Sequence, residues 1–131
     1  MLPKIMIIDD EENICKALGN FLDDFEEFDI RTAHSAEEAL RALEASPADI
    51  CIVDLRLPGM NGIELVRNIV TRGLCRRNIL HTASLDFELT DDLASLGVTD
   101  EDIFFKPTQN TLIFERIRSV LALPRSTDGA P

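Results

Sequence analysis

Unbroken apolar runs alternate with amphipathic segments along the chain. Lys4–Ile8 and Ile50–Val53 lack the apolar–polar alternation of a half-exposed strand, which is typical of strands covered on both faces by helices. Residues 11–25 instead repeat apolar side chains every three or four positions, the spacing of an amphipathic helix. The whole pattern predicts five strands, at 4–8, 28–34, 49–54, 78–82 and 102–105. Each strand is followed by a predicted helix, and the five helices lie over 11–25, from Ser35 to a stop at Pro47, through Ile63–Val70, over 86–96 and over 112–121.

This alternation carries the prediction of the fold. Five strands that alternate with helices predict an α/β fold, in which a mostly parallel sheet is wrapped on both faces through right-handed crossovers. Residues 1–123 are long enough to bury one hydrophobic core and are predicted to form a single domain. Residues 124–131 have nothing to bury and are predicted to be a flexible tail or a severed linker.

The chain is strongly acidic. Its 131 residues include 24 Asp and Glu against 13 Lys and Arg, a formal net charge of −11, so direct binding of nucleic acid is not expected. The apolar runs are far shorter than the ~20 residues of a membrane span, and the amino terminus lacks a signal-peptide pattern, which predicts a cytoplasmic protein without membrane contact. The three cysteines are odd in number and widely spaced, which predicts reduced thiols rather than a disulfide framework or a zinc site.

Polar side chains stand where the predicted strands end. Asp9 and Asp10 follow the first strand, Asp54 ends the third, Thr82 ends the fourth and Lys106 follows the fifth. Sites in open parallel sheets form outside the carboxyl ends of the strands, so these side chains are expected to converge. Carboxylates about 4 Å apart repel by roughly 4 kcal/mol per pair at an effective dielectric of about 20, so a cation is expected among them. An all-oxygen donor set favours Mg²⁺ over zinc.

The same residue types suit phosphoryl transfer. Asp54 is the candidate carboxylate nucleophile, Lys106 a fixed positive charge for the phosphoryl oxygens, and Thr82 a hydroxyl donor whose position would depend on the phosphate. His34 and His81 are single, strand-borne histidines, which are usually structural or solvated, and neither is assigned a role.

Four segments, taken in their order and spacing, resemble the receiver domains of two-component response regulators. They are Asp9-Asp10-Glu11-Glu12, Asp54-Leu-Arg-Leu-Pro-Gly-Met-Asn-Gly62, Thr82-Ala83-Ser84 and Lys106-Pro107. The resemblance covers residues 3 to about 122 and implies a flavodoxin-like five-stranded sheet in strand order 2-1-3-4-5. It also implies transfer from a phosphohistidine of a histidine kinase or histidine phosphotransfer protein, slow self-dephosphorylation, and control of a downstream effector or output domain.

The resemblance assigns roles on the acidic side of the site. It makes Asp54 the phosphoacceptor, Asp10 the principal Mg²⁺ ligand and Asp9 an assisting one. The Arg56 backbone carbonyl becomes a further ligand, and Mn²⁺ could substitute for Mg²⁺. Arg56 and Ser84, two residues after the acceptor and the threonine, are expected to influence the lifetime of the phosphorylated state.

It also assigns roles on the other side. Thr82 and Ala83 become the switch segment that contacts the phosphate, and Lys106 becomes the phosphate-binding cation. The Lys106–Pro107 bond is expected to be cis, a form that proline makes accessible. A homodimer through the face formed by the fourth helix, fifth strand and fifth helix is a further expectation.

One departure from the family pattern concerns the relay of the signal. Three residues before the lysine, the family usually has an aromatic that swings inward when the threonine moves, and this chain has Ile103 there. Phe104, Phe105 or a backbone shift would therefore have to report the phosphorylated state, or the coupling is weak. The segment 85–101 also departs from the usual small-residue pattern.

Two other functions compete with the phosphorylated switch. Phosphatases resembling the haloacid dehalogenase family also use a strand-end carboxylate and Mg²⁺, but they need an acid two residues after the nucleophile, where this chain has Arg56. A degenerate receiver would bind partners without phosphorylation. The acidic triad, the threonine and the lysine argue against that alternative, whereas Ile103 leaves room for it.

Overall fold

Five strands and five helices alternate along the described part of the chain, which comprises residues 1–83 and 89–123 of a computed structural model. The elements are β1 Lys4–Ile8, α1 Glu12–Asp23, β2 Asp29–Ala33, α2 Ala36–Ala45, β3 Ala48–Val53, α3 Gly62–Thr71, β4 Cys75–Thr82, α4 Asp91–Ser95, β5 Ile103–Phe105 and α5 Asn110–Ala122, with a 3-10 turn at Asp100–Asp102 before β5. The predicted order of elements is therefore confirmed. The predicted tail, residues 124–131, lies outside the described residues.

All five strands run parallel, in the order β2-β1-β3-β4-β5. This is the flavodoxin-like order, and it confirms the predicted fold class. Because β1 and β3 are neighbours in the sheet, the residues that follow them come out side by side at one edge. The site is built at that edge.

Side chains fix where three of the helices begin. The Ser35 hydroxyl accepts a hydrogen bond from the Glu38 backbone N–H at 3.1 Å, as the sequence pattern predicts, and the Glu38 carboxylate accepts one from the His34 N–H. The Asn61 side chain caps α3 in the same way, and Thr90 caps α4. Each cap pairs one of the backbone N–H groups that the first turn of a helix leaves unbonded.

The sheet separates two hydrophobic clusters. One cluster joins alternate strand residues such as Met6 and Val53 to α2, α3 and α4, and the other joins their sequence neighbours, such as Ile7 and Ile52, to α1 and α5. Burial on both faces explains why the central strands read as continuous apolar runs. Cys51 is fully buried in β3, and all three cysteines carry free thiols.

The starts of two elements differ from their predicted positions by three residues or more. Strand β4 begins at Cys75 rather than Asn78, so it includes two arginines that the apolar pattern had excluded. Helix α4 covers Asp91–Ser95 within the predicted 86–96, of which 86–88 lie outside the described residues. In the part of the chain that the structure describes, no helix is long and apolar enough to span a membrane.

Candidate functional site

Backbone hydrogen bonds carry the sheet ladder one residue beyond the strand ends. The Asp9 N–H donates to the Ala33 carbonyl at 3.0 Å, and the Asp54 N–H donates to the Ile8 carbonyl at 2.9 Å. On the other side of the sheet, the Lys106 N–H donates to the Thr82 carbonyl at 2.8 Å. The residues just past the apolar runs are therefore tied to the neighbouring strands by backbone hydrogen bonds, which is where a reactive group is best positioned.

Three carboxylates converge at this edge. One oxygen each of Asp9, Asp10 and Asp54 lies within 4.8 Å of the others, and among the described residues they are the one group of three or more potential ligand side chains arranged in this way. Asp9 and Asp54 are only 2% and 4% exposed, whereas Asp10 faces solvent. The sequence-based prediction of a converging acidic triad is thus matched by the geometry.

Lys106 provides the positive charge inside the cluster. Its ammonium donates to Asp9 Oδ2 at 2.7 Å and to Asp54 Oδ2 at 3.4 Å, and its side chain is 9% exposed. Burial lowers the pKa of Lys106, but the hydrogen bond and charge of Asp9 and the charge of Asp54 outweigh it, so the pKa is raised. The lysine is therefore charged at neutral pH.

The pKa shift of Asp54, unlike that of Lys106, favours the neutral form of the side chain. Burial raises its pKa, and the charge of Asp9 raises it further, against the hydrogen bond from the Arg56 N–H and the charge of Lys106. The net shift is upward, so a single lysine does not fully compensate for the buried carboxylates. A further cation would lower the pKa of Asp54 and favour its ionised, nucleophilic form.

Backbone donors fix the orientation of both buried carboxylates. The Glu11 N–H donates to Asp9 Oδ1 at 2.9 Å, and the Arg56 N–H donates to Asp54 Oδ1 at 3.0 Å. The Cys15 thiol donates to the Asp9 carbonyl at 3.3 Å, and burial raises the pKa of that thiol to about 11. Cys15 is thus a neutral packing group of α1 and not a reactive thiol.

The donor set fits a hard divalent cation. Every candidate side-chain ligand is a carboxylate, and no described histidine or cysteine joins the group. Two of its members are anchored by backbone N–H groups and one is exposed, so the site has an open side toward solvent. These properties suit Mg²⁺, which keeps several waters when it binds to proteins.

The remaining predicted site residues lie around this cluster. Thr82 is fully buried at the end of β4, and Ala83 is exposed just beyond it. The Lys106–Pro107 bond is cis. The Arg56 side chain is exposed, and Ser84 lies outside the described residues.

The three relay candidates face different ways. Ile103 packs against the cluster on the α2, α3 and α4 face, and Phe104 packs against the cluster on the α1 and α5 face. Phe105 is 38% exposed. Of the two phenylalanines, Phe104 is thus packed inward, whereas Phe105 leaves part of its ring to solvent.

His81 and Lys106 both line a groove of about 340 Å³ between α1 and the start of α5. Its ring is buried, and within the described residues its Nε2 has no hydrogen-bond partner. Burial, and then the charge of Lys106, lower the pKa of His81 to about 4, although Asp9 acts in the opposite direction. His81 is therefore neutral at pH 7, as expected of a structural histidine.

The neutrality of His81 predicts a loss of stability in mild acid. The unfolded chain takes up a proton near its ordinary pKa of 6.5, whereas the folded chain takes it up only near 4, so stability falls as the pH drops through this interval. At pH 5, this difference costs about 2 kcal/mol of unfolding free energy. Urea unfolding at pH 7.5 and pH 5 would measure this loss of stability. His81→Leu should remove the loss, whereas the control His34→Leu, at an exposed histidine, should still show it. Equal pH dependence in both variants would contradict the assignment.

Three features of the site were not predicted from the sequence. Lys106 was expected to serve the phosphate, but its shortest contact is with Asp9. The Cys15 contact depends on the rotation of α1, which an apolar pattern does not specify closely. The sequence marked Gly62 only as the last residue of the segment that begins at Asp54, yet it lies against the Asp54 carbonyl, and no signal in a single sequence distinguishes that contact from an ordinary turn glycine.

Comparison with known proteins establishes the family. A sequence model of the response regulator receiver domain matches residues 5–118 of this chain. The chain belongs to this family. It is a receiver domain of the two-component response regulators, which are signalling domains and not classical enzymes.

Its curated relatives are longer proteins. Over 131 residues, the chain is 31% identical to the alkaline phosphatase synthesis transcriptional regulatory protein PhoP of Bacillus subtilis, covering 100% of this chain and 52% of that protein. Over 121 residues, it is 30% identical to the phosphate regulon transcriptional regulatory protein PhoB of Rhizobium meliloti, covering 92% and 53%. The chain spans about half the length of these relatives.

Solved receiver domains share the fold. The receiver domain of a putative Luxo repressor protein from Vibrio parahaemolyticus superimposes with a TM-score of 0.82 at 22% identity, covering 92% of this chain and 91% of that one. The response regulator TrrA from Thermotoga maritima, solved in complex with Mg²⁺ and BeF, gives a TM-score of 0.76 at 28% identity, covering 91% and 99%.

Proposed function

We propose that Asp54 of this receiver domain accepts a phosphoryl group from a phosphohistidine of a histidine kinase or histidine phosphotransfer protein. The observation that carries the proposal is the position of Asp54. It is a buried carboxylate, oriented by a backbone N–H, that lies against both an acidic pair and a buried lysine at an open sheet edge. Burial of a carboxylate beside two others is unfavourable for stability, so this placement favours a functional role over a purely structural one.

The transfer is a displacement at phosphorus. An Asp54 carboxylate oxygen forms the new P–O bond, the P–N bond to the donor histidine breaks, and the imidazole leaves with the electron pair and takes up a proton. Lys106 contacts Asp54 and lies where it can bind a phosphoryl oxygen. Positioning and charge, not proton transfer by the protein, carry the step.

Mg²⁺ would be held by Asp10, Asp9 and Asp54 together with the Arg56 carbonyl, and Mn²⁺ could take its place. When bound, the ion supplies positive charge to the phosphoryl oxygens and offsets the repulsion that raises the pKa of Asp54. The domain thereby catalyses its own phosphorylation, and hydrolysis of the aspartyl phosphate returns it slowly to the starting state.

After transfer, the Thr82 hydroxyl and the Ala83 backbone are proposed to bind the phosphoryl oxygens. Arg56 and Ser84, two residues after the acceptor and the threonine, are proposed to set the lifetime of the mixed anhydride on Asp54 through their influence on water access. Thr82 has the larger effect on signalling because its position then depends on the phosphate.

The consequence of phosphorylation is a change in binding. We propose that residues 1–123 act as the switching unit, that 124–131 are a tail or a linker, and that the switch controls an effector or an output domain. The names of the curated relatives as transcriptional regulators are consistent with an attached output domain. A homodimer through the face of α4, β5 and α5 is one form that the output could take. We propose that the domain performs this role in the cytoplasm.

Intact-mass measurement tests the acceptor directly. With Mg²⁺ and acetyl phosphate, the wild type should gain the mass of one phosphoryl group, and chelation of the metal should prevent it. Asp54→Asn should lose the whole adduct because its amide is not a nucleophile. The matched variant Asp29→Asn changes an exposed aspartate at the other end of the sheet and should keep it. An adduct that survives in Asp54→Asn, or none in the wild type, would refute the proposal.

A further inference from the structure

This domain has Ile103 where the family usually has an aromatic, so another side chain has to transmit the phosphorylated state from the site to the surface. The pairing of β4 with β5 distinguishes the other candidates, because residues side by side in parallel strands point to the same face of the sheet. Phe105 pairs with Thr82, whereas Phe104 pairs with His81 and therefore points to the opposite face. Of the two aromatic candidates, only Phe105 has a side chain next to that of Thr82.

Burial separates Phe105 from Ile103, which shares its face. Ile103 pairs with Leu80 and is packed against the hydrophobic cluster on that face, so its side chain has little further surface to bury. Phe105 leaves 38% of its surface in solvent, next to a threonine that is completely buried. An aromatic ring in that position gains apolar burial if space opens beside Thr82.

The strand order gives the motion a direction. β4 lies between β3, which positions Asp54, and β5, which carries Phe105. A Thr82 side chain that moves toward a phosphoryl group on Asp54 therefore moves away from Phe105. The space that it leaves lies on the side of the exposed ring, and a packed interior does not tolerate an empty space of that size without cost.

The backbone around Phe105 is fixed on both sides. The Lys106 N–H donates to the Thr82 carbonyl at 2.8 Å, and the Thr108 hydroxyl donates to the Phe105 carbonyl. With the strand held in this way, the response to a displaced Thr82 is a rotation of the side chain and not a shift of β5. β5 is an edge strand, so a rotated ring changes the protein surface at once.

We propose that Phe105 is the reporter of the phosphorylated state, with its ring turning inward beside Thr82 when Asp54 carries a phosphoryl group. The inference rests on the proposed acceptor role of Asp54. It assigns the relay to the position one residue before Lys106, in place of the usual aromatic three residues before it.

The composition of the chain offers a direct test. It contains no Trp and no Tyr, so Phe105→Trp introduces a single fluorophore. With Mg²⁺ and acetyl phosphate, emission of this variant should shift to shorter wavelength and become less accessible to acrylamide, with the adduct verified by intact mass in the same sample. When samples with the same adduct fraction by intact mass are compared, the variant that also carries Thr82→Ala should lack the optical change. The matched variant Phe104→Trp should show no response that depends on Thr82.

The outcomes separate the two proposals. An adduct without an optical change at position 105, or with the same change after Thr82→Ala, would overturn the relay and leave the acceptor role intact. No adduct in the wild type would overturn both. If the tryptophan variant fails to fold, Phe105→Tyr gives a single tyrosine for the same measurement in a ring of nearly the original size.

Discussion

Replacement of Asp102 by alanine is expected to destabilise this domain by about 3 kcal/mol, although Asp102 lies outside the phosphorylation site. Its carboxylate is 1% exposed and accepts hydrogen bonds from Arg116 Nε at 2.8 Å and from the Thr99 N–H and hydroxyl at 2.9 and 3.1 Å. Arg77 lies 3.7 Å from the same carboxylate. One side chain thus joins β4, the turn before β5, and α5.

The size of the loss follows from what the substitution leaves behind. Without the carboxylate, the guanidinium groups of Arg77 and Arg116 stay largely desolvated, since their side chains are only 26% and 13% exposed, and Arg116 keeps only a 3.6 Å contact with the exposed Glu101. Removing one partner of a buried ion pair costs more than the pair contributes, because the remaining charges stay desolvated. Partial access of water to the arginines keeps the expected value near the lower end, at about 3 kcal/mol.

Urea unfolding at neutral pH would measure this effect. Asp100→Ala is the matched control, because it removes an exposed aspartate from the same turn and should change stability by less than about 0.5 kcal/mol. Asp102→Asn should give an intermediate loss, since the amide oxygen can still accept from Thr99 but carries no charge. If Asp102→Ala cost no more than Asp100→Ala, the network would contribute nothing to the fold.

This network shows where sequence-based prediction reached its limit. Asp100, Glu101 and Asp102 are three consecutive acids, and nothing in their identities tells which one turns inward. The start of β4 was missed for a related reason, because Arg76 and Arg77 interrupt the apolar run. Buried charges are energetically tolerated here only because each pairs with an oppositely charged residue that is distant in sequence. A single sequence does not reveal such a partner.

The strand ends were predictable for the opposite reason. An apolar run that stops at an acid is a local signal, and the parallel fold converts several local signals into one cluster without further information. Asp9, Asp10 and Asp54 come together in this way. Lys106 joins them from the end of β5, which is separated from β3 by β4. The site was thus inferred from topology, whereas the individual pairings within it depended on side-chain geometry.

The relay residue was only partly predictable from the sequence, unlike the strand ends, which were predictable, and the Asp102 network, which was not. The sequence showed that Ile103 replaces an aromatic and left three candidates. The strand register then placed Phe105 beside Thr82, a relation that a shift of one residue would have transferred to Phe104. Register is set by the packing of both faces at once, so it became available only with the folded chain.

Gly62 connects the stability of the fold to the geometry of the acceptor. It is the first residue of α3, and its N–H donates to the Leu55 carbonyl at 3.1 Å, which closes the loop that follows β3. A Cβ atom on Gly62 would lie 2.5 Å from the Leu55 Cα and 2.6 Å from the Asp54 carbonyl oxygen. Both contacts are with backbone atoms, so no side chain can rotate to relieve them.

Gly62→Ala is therefore expected to destabilise the domain by about 3 kcal/mol, near the upper end of what overpacking usually costs. It should also slow acceptor chemistry in the fraction that remains folded, because the displaced backbone carries Asp54 itself. Gly19→Ala is the matched control: its Cβ would meet only Ile30 and Ile7 side chains at 3.7 Å, within a helix that alanine favours by up to about 1 kcal/mol. Urea unfolding and the initial rate of adduct formation with acetyl phosphate should show opposite shifts in stability for the two variants, and a loss of rate for Gly62→Ala alone. If Gly62→Ala were as stable and as reactive as the wild type, the loop after β3 would have enough freedom to absorb the methyl group, and the rigid positioning of Asp54 inferred from its backbone hydrogen bonds would be wrong.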